Sequence, residues 1–218
     1  MAHLADYYRD RAAEYDAVYT KPERQDDLAR LHDLLPRLVA GRRVLEIAAG
    51  TGYWTRTLSG SASAITATDI NVEALDLARA REYGPAPVTF EVADAYALEQ
   101  VRGEFDIAFI GFFWSHVLRA DLPRFCAGLH ARLRPGASGH RRVIVLDNRY
   151  VPGSSLPISR TTAEGDTFQR RTLKDGRSYE IVKNFPPRGQ FTTDMAAISA
   201  HVKWTGLRYF WLATCTLH

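Results

Sequence analysis

The chain has 218 residues, 46% apolar and 24% charged, proportions that exclude a disordered or fibrous chain and a length that suits one domain over 1–218. Lys+Arg 28 against Asp+Glu 25 leaves a formal charge of +3, too small an excess to imply nucleic acid. The spacing of Cys126 and Cys215 fits neither a zinc cluster nor a disulfide framework; Asp6, Asp10, Glu14 and several Arg in the first fifteen residues leave no apolar h-region, so no signal peptide is expected, and the longest apolar run, Ile107 to Trp114, is far below the ~20 residues that cross a bilayer. A cytoplasmic protein is expected, monomer or homodimer, without membrane or metal.

Residues 1–22 read as a polar, tyrosine-rich segment ahead of the first core element. Leu28, Leu31, Leu35 and Leu38 then recur at helical spacing between Pro22 and Gly41, which predicts an amphipathic helix. Val44 to Ile47 reads as a strand, Tyr53 to Ser59 as a helix, Ala64 to Asp69 as a strand, and Asn71 as the cap of a helix reaching about Tyr83. Strands at Val88 to Val92, Phe105 to Ile110 and Val143 to Leu146 follow, with a helix from Leu122 to Leu133 stopped by Arg134-Pro135-Gly136. Strands alternating with helices imply parallel crossovers and a doubly wound α/β sheet. Residues 149–165 are rich in Pro, Gly, Ser and Thr and read as an irregular excursion. Thr167 to Leu173 and Ser178 to Asn184 flank Asp175-Gly176, a β-hairpin signal. A helix near Thr192 to His201 and an aromatic-rich strand from Leu207 to Leu217 complete the prediction.

Ligands of such a sheet bind at the carboxyl ends of its strands. Here those ends are Glu46-Ile47-Ala48-Ala49-Gly50-Thr51-Gly52, then Asp69, Asp94, and Gly111-Phe112-Phe113-Trp114-Ser115-His116. Gly50 and Gly52 permit a sharp turn and close backbone approach to a ligand. Asp69 can accept both hydroxyls of a ribose, and Asp94 can accept from an adenine amino group, with Ile70 or Ala95 on the ring face. A dinucleotide site fits less well. Its fingerprint asks for a small residue where Thr55 stands, and Tyr53-Trp54 would crowd a pyrophosphate.

These motifs resemble those of the class I, Rossmann-like S-adenosylmethionine-dependent methyltransferases of small-molecule type, over about residues 40–150. The resemblance implies a mostly parallel seven-stranded sheet, with the hairpin as an addition, and S-adenosylmethionine as cofactor. It places Glu46, Ala48 (where the family carries glycine), Gly50 and Gly52 against the methionine moiety, Asp69 on the ribose, Ile70, Asp94 and Ala95 at the adenine, with Trp54 and Gly111 nearby. It makes residues 1–22 a cap over the pocket and 149–185 a cover on the acceptor side. The N-terminal segment and the Phe-Phe-Trp-Ser-His run are also similar to natural-product methyltransferases, including azapteridine N-methyltransferases of toxoflavin type.

Methyl transfer from a sulfonium needs near-collinear reactants and, for an N–H or O–H acceptor, a base. His116 is the first candidate base, its alternative being a packing role. Asp147 is the second, its alternative being to hold the chain as it leaves the sheet. A sulfonium suits aromatic faces, for which Tyr7, Tyr15, Phe112 and Trp114 are candidates. Phe113, Trp114, Asn148 and Tyr150 are candidate walls for a flat heteroaromatic acceptor. Asp147-Asn148 resembles the metal pair of catechol O-methyltransferases, but Gly111-Phe112 stands where that family has its further Asp. The Asn/Asp-Pro-Pro-aromatic segment of nucleic-acid amino-methylases is absent, and the Arg132, Arg134, Arg141 and Arg142 cluster reads as solvated surface. A small-molecule acceptor is therefore expected, the alternatives being an RNA methyltransferase or a non-catalytic cofactor-binding protein.

Overall fold

Period-two alternation within the strands sends neighbouring side chains to opposite faces of one sheet, and each face acquires its own core. The computed structural model describes residues 2–133 and 141–218. Its strands β1 (Arg43–Ile47), β2 (Ala64–Asp69), β3 (Val88–Val92), β4 (Ile107–Gly111) and β5 (Arg142–Asn148) run parallel. Val44, Ile65, Ile107, Phe109, Ile144 and Leu146 pack on one face with helices α2 (Gln25–Val39) and α3 (Tyr53–Ser59). Leu45, Ile47, Ala108, Ile110, Val143 and Val145 pack on the other with α5 (Leu122–Arg132).

In α2 the predicted leucine stripe is the buried one: Leu28, Leu31 and Leu35 are buried, while Asp26 and Asp27 in the first turn complement the helix dipole. Gly41, at φ +67°, takes the left-handed conformation that lets the chain leave toward β1. Helix α4 (Val72–Arg79) is shorter than predicted, and the Asn71 side chain does not cap it. The predicted Arg134-Pro135-Gly136 stop lies outside the described residues.

The sheet order is β3-β2-β1-β4-β5-β10-β9, seven strands, with β10 (Phe210–Leu217) antiparallel to both β5 and β9 (Ser199–Gly206). This corrects the C-terminal prediction. The helix expected at Thr192 to His201 is α6 (Arg188–Met195), starting directly after Pro186-Pro187, and 199–206 is a strand. The ladder to β10 and the stacking of Trp204 on Trp211 (centroids 4.5 Å apart) supply what local propensity did not signal. The predicted hairpin forms as β7 (Thr167–Thr172) and β8 (Ser178–Val182), with Gly176 at φ +89° in its turn. Together with β6 (Arg160–Thr161) it makes a separate three-stranded sheet.

Two additions cover the carboxyl ends of the parallel strands. The small sheet docks there through Asn184, whose backbone N–H donates to Ser115 O at 2.8 Å and whose Nδ2 donates to Val117 O at 3.1 Å. The N-terminus is helix α1 (Ala2–Arg11), followed by a 3-10 helix over Ala12–Tyr19. It is fastened by ion pairs of Arg81 with Asp16 and Arg177 with Asp10, and by Tyr179 Oη donating to Asp10 at 2.6 Å. Among the described residues no helix is long and apolar enough to cross a membrane.

Candidate active site

The chain runs from β1 outward to β3 on one side and from β4 outward on the other, so the carboxyl ends of β1 and β4 form the switch point where a crevice must open. The loop after β1 turns through three left-handed residues: Ala48 (φ +55°), Gly50 (φ +57°) and Gly52 (φ +79°). Asp69, at the end of β2, holds that loop. Its Oδ2 accepts from Gly50 N–H and its Oδ1 from Asn71 N–H, both at 2.9 Å. Burial raises its pKa while these N–H groups, with that of Ile70, pull it down.

A cavity of about 210 Å³ opens above this loop. Of the predicted cofactor residues, Tyr15, Glu46, Ala48, Gly50, Trp54, Asp69, Ile70, Asp94, Ala95 and Gly111 line it, together with Phe113 and His116. Ile70 is 51% exposed, an apolar side chain left open at the cavity wall. Glu46 is strongly perturbed. It is 2% exposed, its Oε2 makes no hydrogen bond, and burial, with the Asp69 charge adding, pushes its pKa up to about 8 against the pull of the nearby Thr55 hydroxyl. A buried carboxyl with one oxygen unpartnered at the cavity wall calls for a cationic donor in front of it.

The lid closes the cavity from above with Leu4, Ala5, Tyr8, Ala12, Tyr15 and Tyr19. Tyr8 and His116 meet there, Oη to Nε2, at 2.7 Å. His116 Nδ1 lies 2.6 Å from Val182 O, which can only accept, so Nδ1 carries the proton and Nε2 accepts from Tyr8. Burial first, then the charges of Lys183 and Arg171, hold His116 well below the usual imidazole value, so it is neutral. Burial and the neighbouring Tyr15 push the Tyr8 phenol up, so it keeps its proton.

Six predicted residues fall elsewhere. Tyr7 is buried between Arg11 and Tyr179 and does not reach the cavity. Gly52 packs behind the loop, where an added Cβ would lie 2.4 Å from Tyr83 Oη. Trp114 belongs to the core, against Phe125 and Phe191. Tyr150 is 40% exposed, with its ring against Phe185. Asp147 is fully buried, its oxygens accepting from Ser115 N–H and Oγ (both 2.9 Å), Asn148 N–H (2.7 Å) and Lys183 Nζ (3.2 Å). This geometry ties β5 to the segment after β4 and to the small sheet, and leaves the carboxylate no access to a substrate. Asn148 lines a neighbouring cavity. Phe112, a candidate sulfonium face, does line the cavity, at a strained φ of +62°, and Tyr8 enters the site in addition. Only the tyrosine richness of residues 1–22 marked Tyr8 beforehand.

Comparison with known proteins bears on the fold and the family. A family described as a methyltransferase domain matches residues 44–136. A solved DhpI-SAM-HEP complex superposes with a TM-score of 0.75 and 31% identity, over 98% of this chain and 96% of that one. The DhpI-SAH complex gives a TM-score of 0.75 and 32% identity, over 99% and 96%. The chain belongs to the S-adenosylmethionine-dependent methyltransferases. A demethylmenaquinone methyltransferase of Clavibacter sepedonicus is 37% identical over 106 residues, 49% of this chain, which spans only about two fifths (41%) of that relative's length. The Burkholderia thailandensis 1,6-didemethyltoxoflavin-N1-methyltransferase, at 17% identity and a TM-score of 0.62 over 99% and 88%, shares the fold.

As in other methyltransferases of this fold, the cofactor is S-adenosylmethionine, and the cavity fits it. The orphaned Glu46 oxygen matches an α-ammonium, the spare lone pairs of Asp69 a ribose diol, and the open face of Ile70 a purine ring.

Proposed function

We propose that this methyltransferase methylates a nitrogen or oxygen of a small molecule, with the Tyr8–His116 pair beside the reacting atoms. The observation that carries this reading is the 2.7 Å contact between Tyr8 and a neutral His116 at the roof of the cofactor cavity. When bound, S-adenosylmethionine supplies an electrophilic methyl on a sulfonium. Glu46 and Asp69 hold its polar ends, and Tyr15 and Phe112 offer faces suited to the sulfonium. Tyr8 donates its proton to His116, so its own oxygen is free to accept one from an acceptor N–H or O–H. His116 Nε2 is the sink for the proton that Tyr8 passes on.

The depressed basicity of His116 suits an acceptor that gives up its proton readily, or does so only once methylated. The fastened lid supports a small acceptor over a polynucleotide, because α1 and the following 3-10 helix leave the cavity roofed. Of the three aromatic residues expected to wall a heteroaromatic acceptor, only Phe113 lines the cavity. The rings beside a second cavity, Tyr8, Tyr15, Phe112, Phe185 and Phe210, support a flat acceptor there. Both cysteines are buried and unpaired, in keeping with a reducing cytoplasm.

The test is transfer of labelled methyl from S-adenosylmethionine to a panel of small heteroaromatic, hydroxylated and anionic acceptors. Tyr8→Phe and His116→Gln are expected to lower kcat by ~10²-fold or more with little change in KM for the cofactor. Turnover unchanged in both variants would refute the role of the pair.

A further inference from the structure

The second cavity, of about 290 Å³, lies beside the first, and both are bounded by Tyr8, Tyr15, Tyr19 and Phe112. Its lining is strongly basic. Arg11, Lys21, Arg24, Arg171 and Lys183 converge on it, and no carboxylate lines it. Several cations elsewhere find acidic partners: Arg37 pairs with Asp33, Arg79 with Asp76, Arg160 with Glu180, and Arg177 with Asp10 and Asp175. Within the cavity only Lys183 has such a partner, Asp147.

Two of these guanidiniums, Arg24 and Arg171, are half-buried and make few hydrogen bonds, that of Arg24 also lying over the Tyr209 and Phe210 rings. Arg24 donates through Nη2 to Ser154 Oγ at 3.3 Å, and Arg171 through Nη2 to Gln169 Oε1 at 2.7 Å. The Nε of each is buried without a hydrogen-bond partner. Glu23 accepts from Ser154 Oγ at 3.3 Å and stays outside the lining. A buried cationic donor without an acceptor costs several times what its hydrogen bond would return, and clustering like charges adds to that cost. The fold tolerates the arrangement where a ligand brings the missing acceptors. The forked donors of arginine match the oxygens of phosphate or carboxylate, while a cationic or purely apolar ligand would leave them unsatisfied.

We infer that this cavity seats the methyl acceptor by an oxyanion group of the phosphate or carboxylate class, held between Arg24 and Arg171. The inference rests on the methyl-transfer reading, since an acceptor anchored here meets the donor across the boundary formed by Tyr8 and Phe112. Phe185, Phe210 and the shared tyrosines contact the rest of the acceptor. The same field is felt next door, where the charges of Lys183 and Arg171 add to burial in depressing His116.

The experiment is calorimetric titration of the adenosylhomocysteine-loaded protein with sodium phosphate, sodium acetate and glycerol, at ionic strength held constant with sodium chloride. Saturable binding of phosphate or of acetate, but not of glycerol, is expected, and which anion saturates names the oxyanion. Arg24→Gln and Arg171→Gln should each weaken that binding by about tenfold or more, and Arg171→Lys by less, while adenosylhomocysteine affinity stays within about twofold. If adenosylhomocysteine binds but neither anion saturates, or if anion binding is the same in both glutamine variants, the anionic acceptor is refuted and the methyl-transfer reading stands. If the native protein binds no adenosylhomocysteine, the methyl-transfer reading fails, and this inference with it.

Discussion

Raising the pH from about 6.0 to about 7.5 should tighten adenosylhomocysteine binding through Glu46. In the free protein this carboxyl has no hydrogen bond at Oε2, and burial sets its pKa at about 8. An α-ammonium in front of it favours the ionised form, so its pKa falls on binding and a proton is released. The sign follows: affinity rises with pH below the free-state pKa. With a pKa of 8, the ionised fraction of the free protein grows from about 1% to about 24% across this window, while the ligand's amino group stays mostly protonated. That is a ~24-fold gain in affinity, or ~1.9 kcal/mol, with ~0.9 proton released at pH 7. Isothermal titration in two buffers of different ionisation enthalpy reads both quantities, and Glu46→Gln should flatten the slope. A dissociation constant unchanged across the window, with no proton exchanged, would refute the placement of Glu46 against the ammonium.

Three further outcomes test the geometry. Gly52→Ala should destabilise by about 2–4 kcal/mol in urea melts, because the position is left-handed (φ +79°) and the new Cβ meets Tyr83 Oη at 2.4 Å and Ala78 Cβ at 3.0 Å; a change under about 0.5 kcal/mol contradicts that packing. His116 is held below its ordinary 6.5, so the unfolded chain takes up a proton there that the folded chain does not, and stability falls as pH drops through about 6.5. That loss amounts to up to ~1.4 kcal/mol per pH unit, and urea melts at about pH 7.5 and 5.5 should show it reduced in His116→Gln; identical pH dependence in both proteins would mean the imidazole is not buried neutral. Asp147→Asn strands the Lys183 ammonium and should cost about 3–5 kcal/mol, whereas adding Lys183→Met should recover part of it; thermal melts showing no recovery would place the lysine elsewhere.

The parallel sheet and the floor of the site were legible from local pattern. Alternating apolar strands, the leucine stripe of α2 and the glycine-bearing loop after β1 each encode their structure within a few residues, through side-chain period and backbone freedom. Acidic residues at strand ends were legible for the same reason, because strand direction alone puts Glu46, Asp69 and Asp94 at one rim. Residues 199–201 read as the end of a helix and 202–206 carried no strand signal because β9 draws its order from the β10 ladder and the Trp204–Trp211 stack.

What the chain by itself determined is thus the parallel sheet and most of the residues at its carboxyl rim. What only the tertiary structure decided is the rest: that Asp147 is locked by Ser115 and Lys183, that Tyr8 and not Tyr7 meets His116, and that Arg11, Lys21, Arg24, Arg171 and Lys183 share one cavity. The sequence's visible basic cluster is elsewhere, with Arg132 donating to the Val101 and Gly103 carbonyls and Arg141 to that of His218. The physical reason is range. Periodicity and turn chemistry act between neighbours along the chain, whereas charge convergence and burial depend on which distant segments fold over the strand ends.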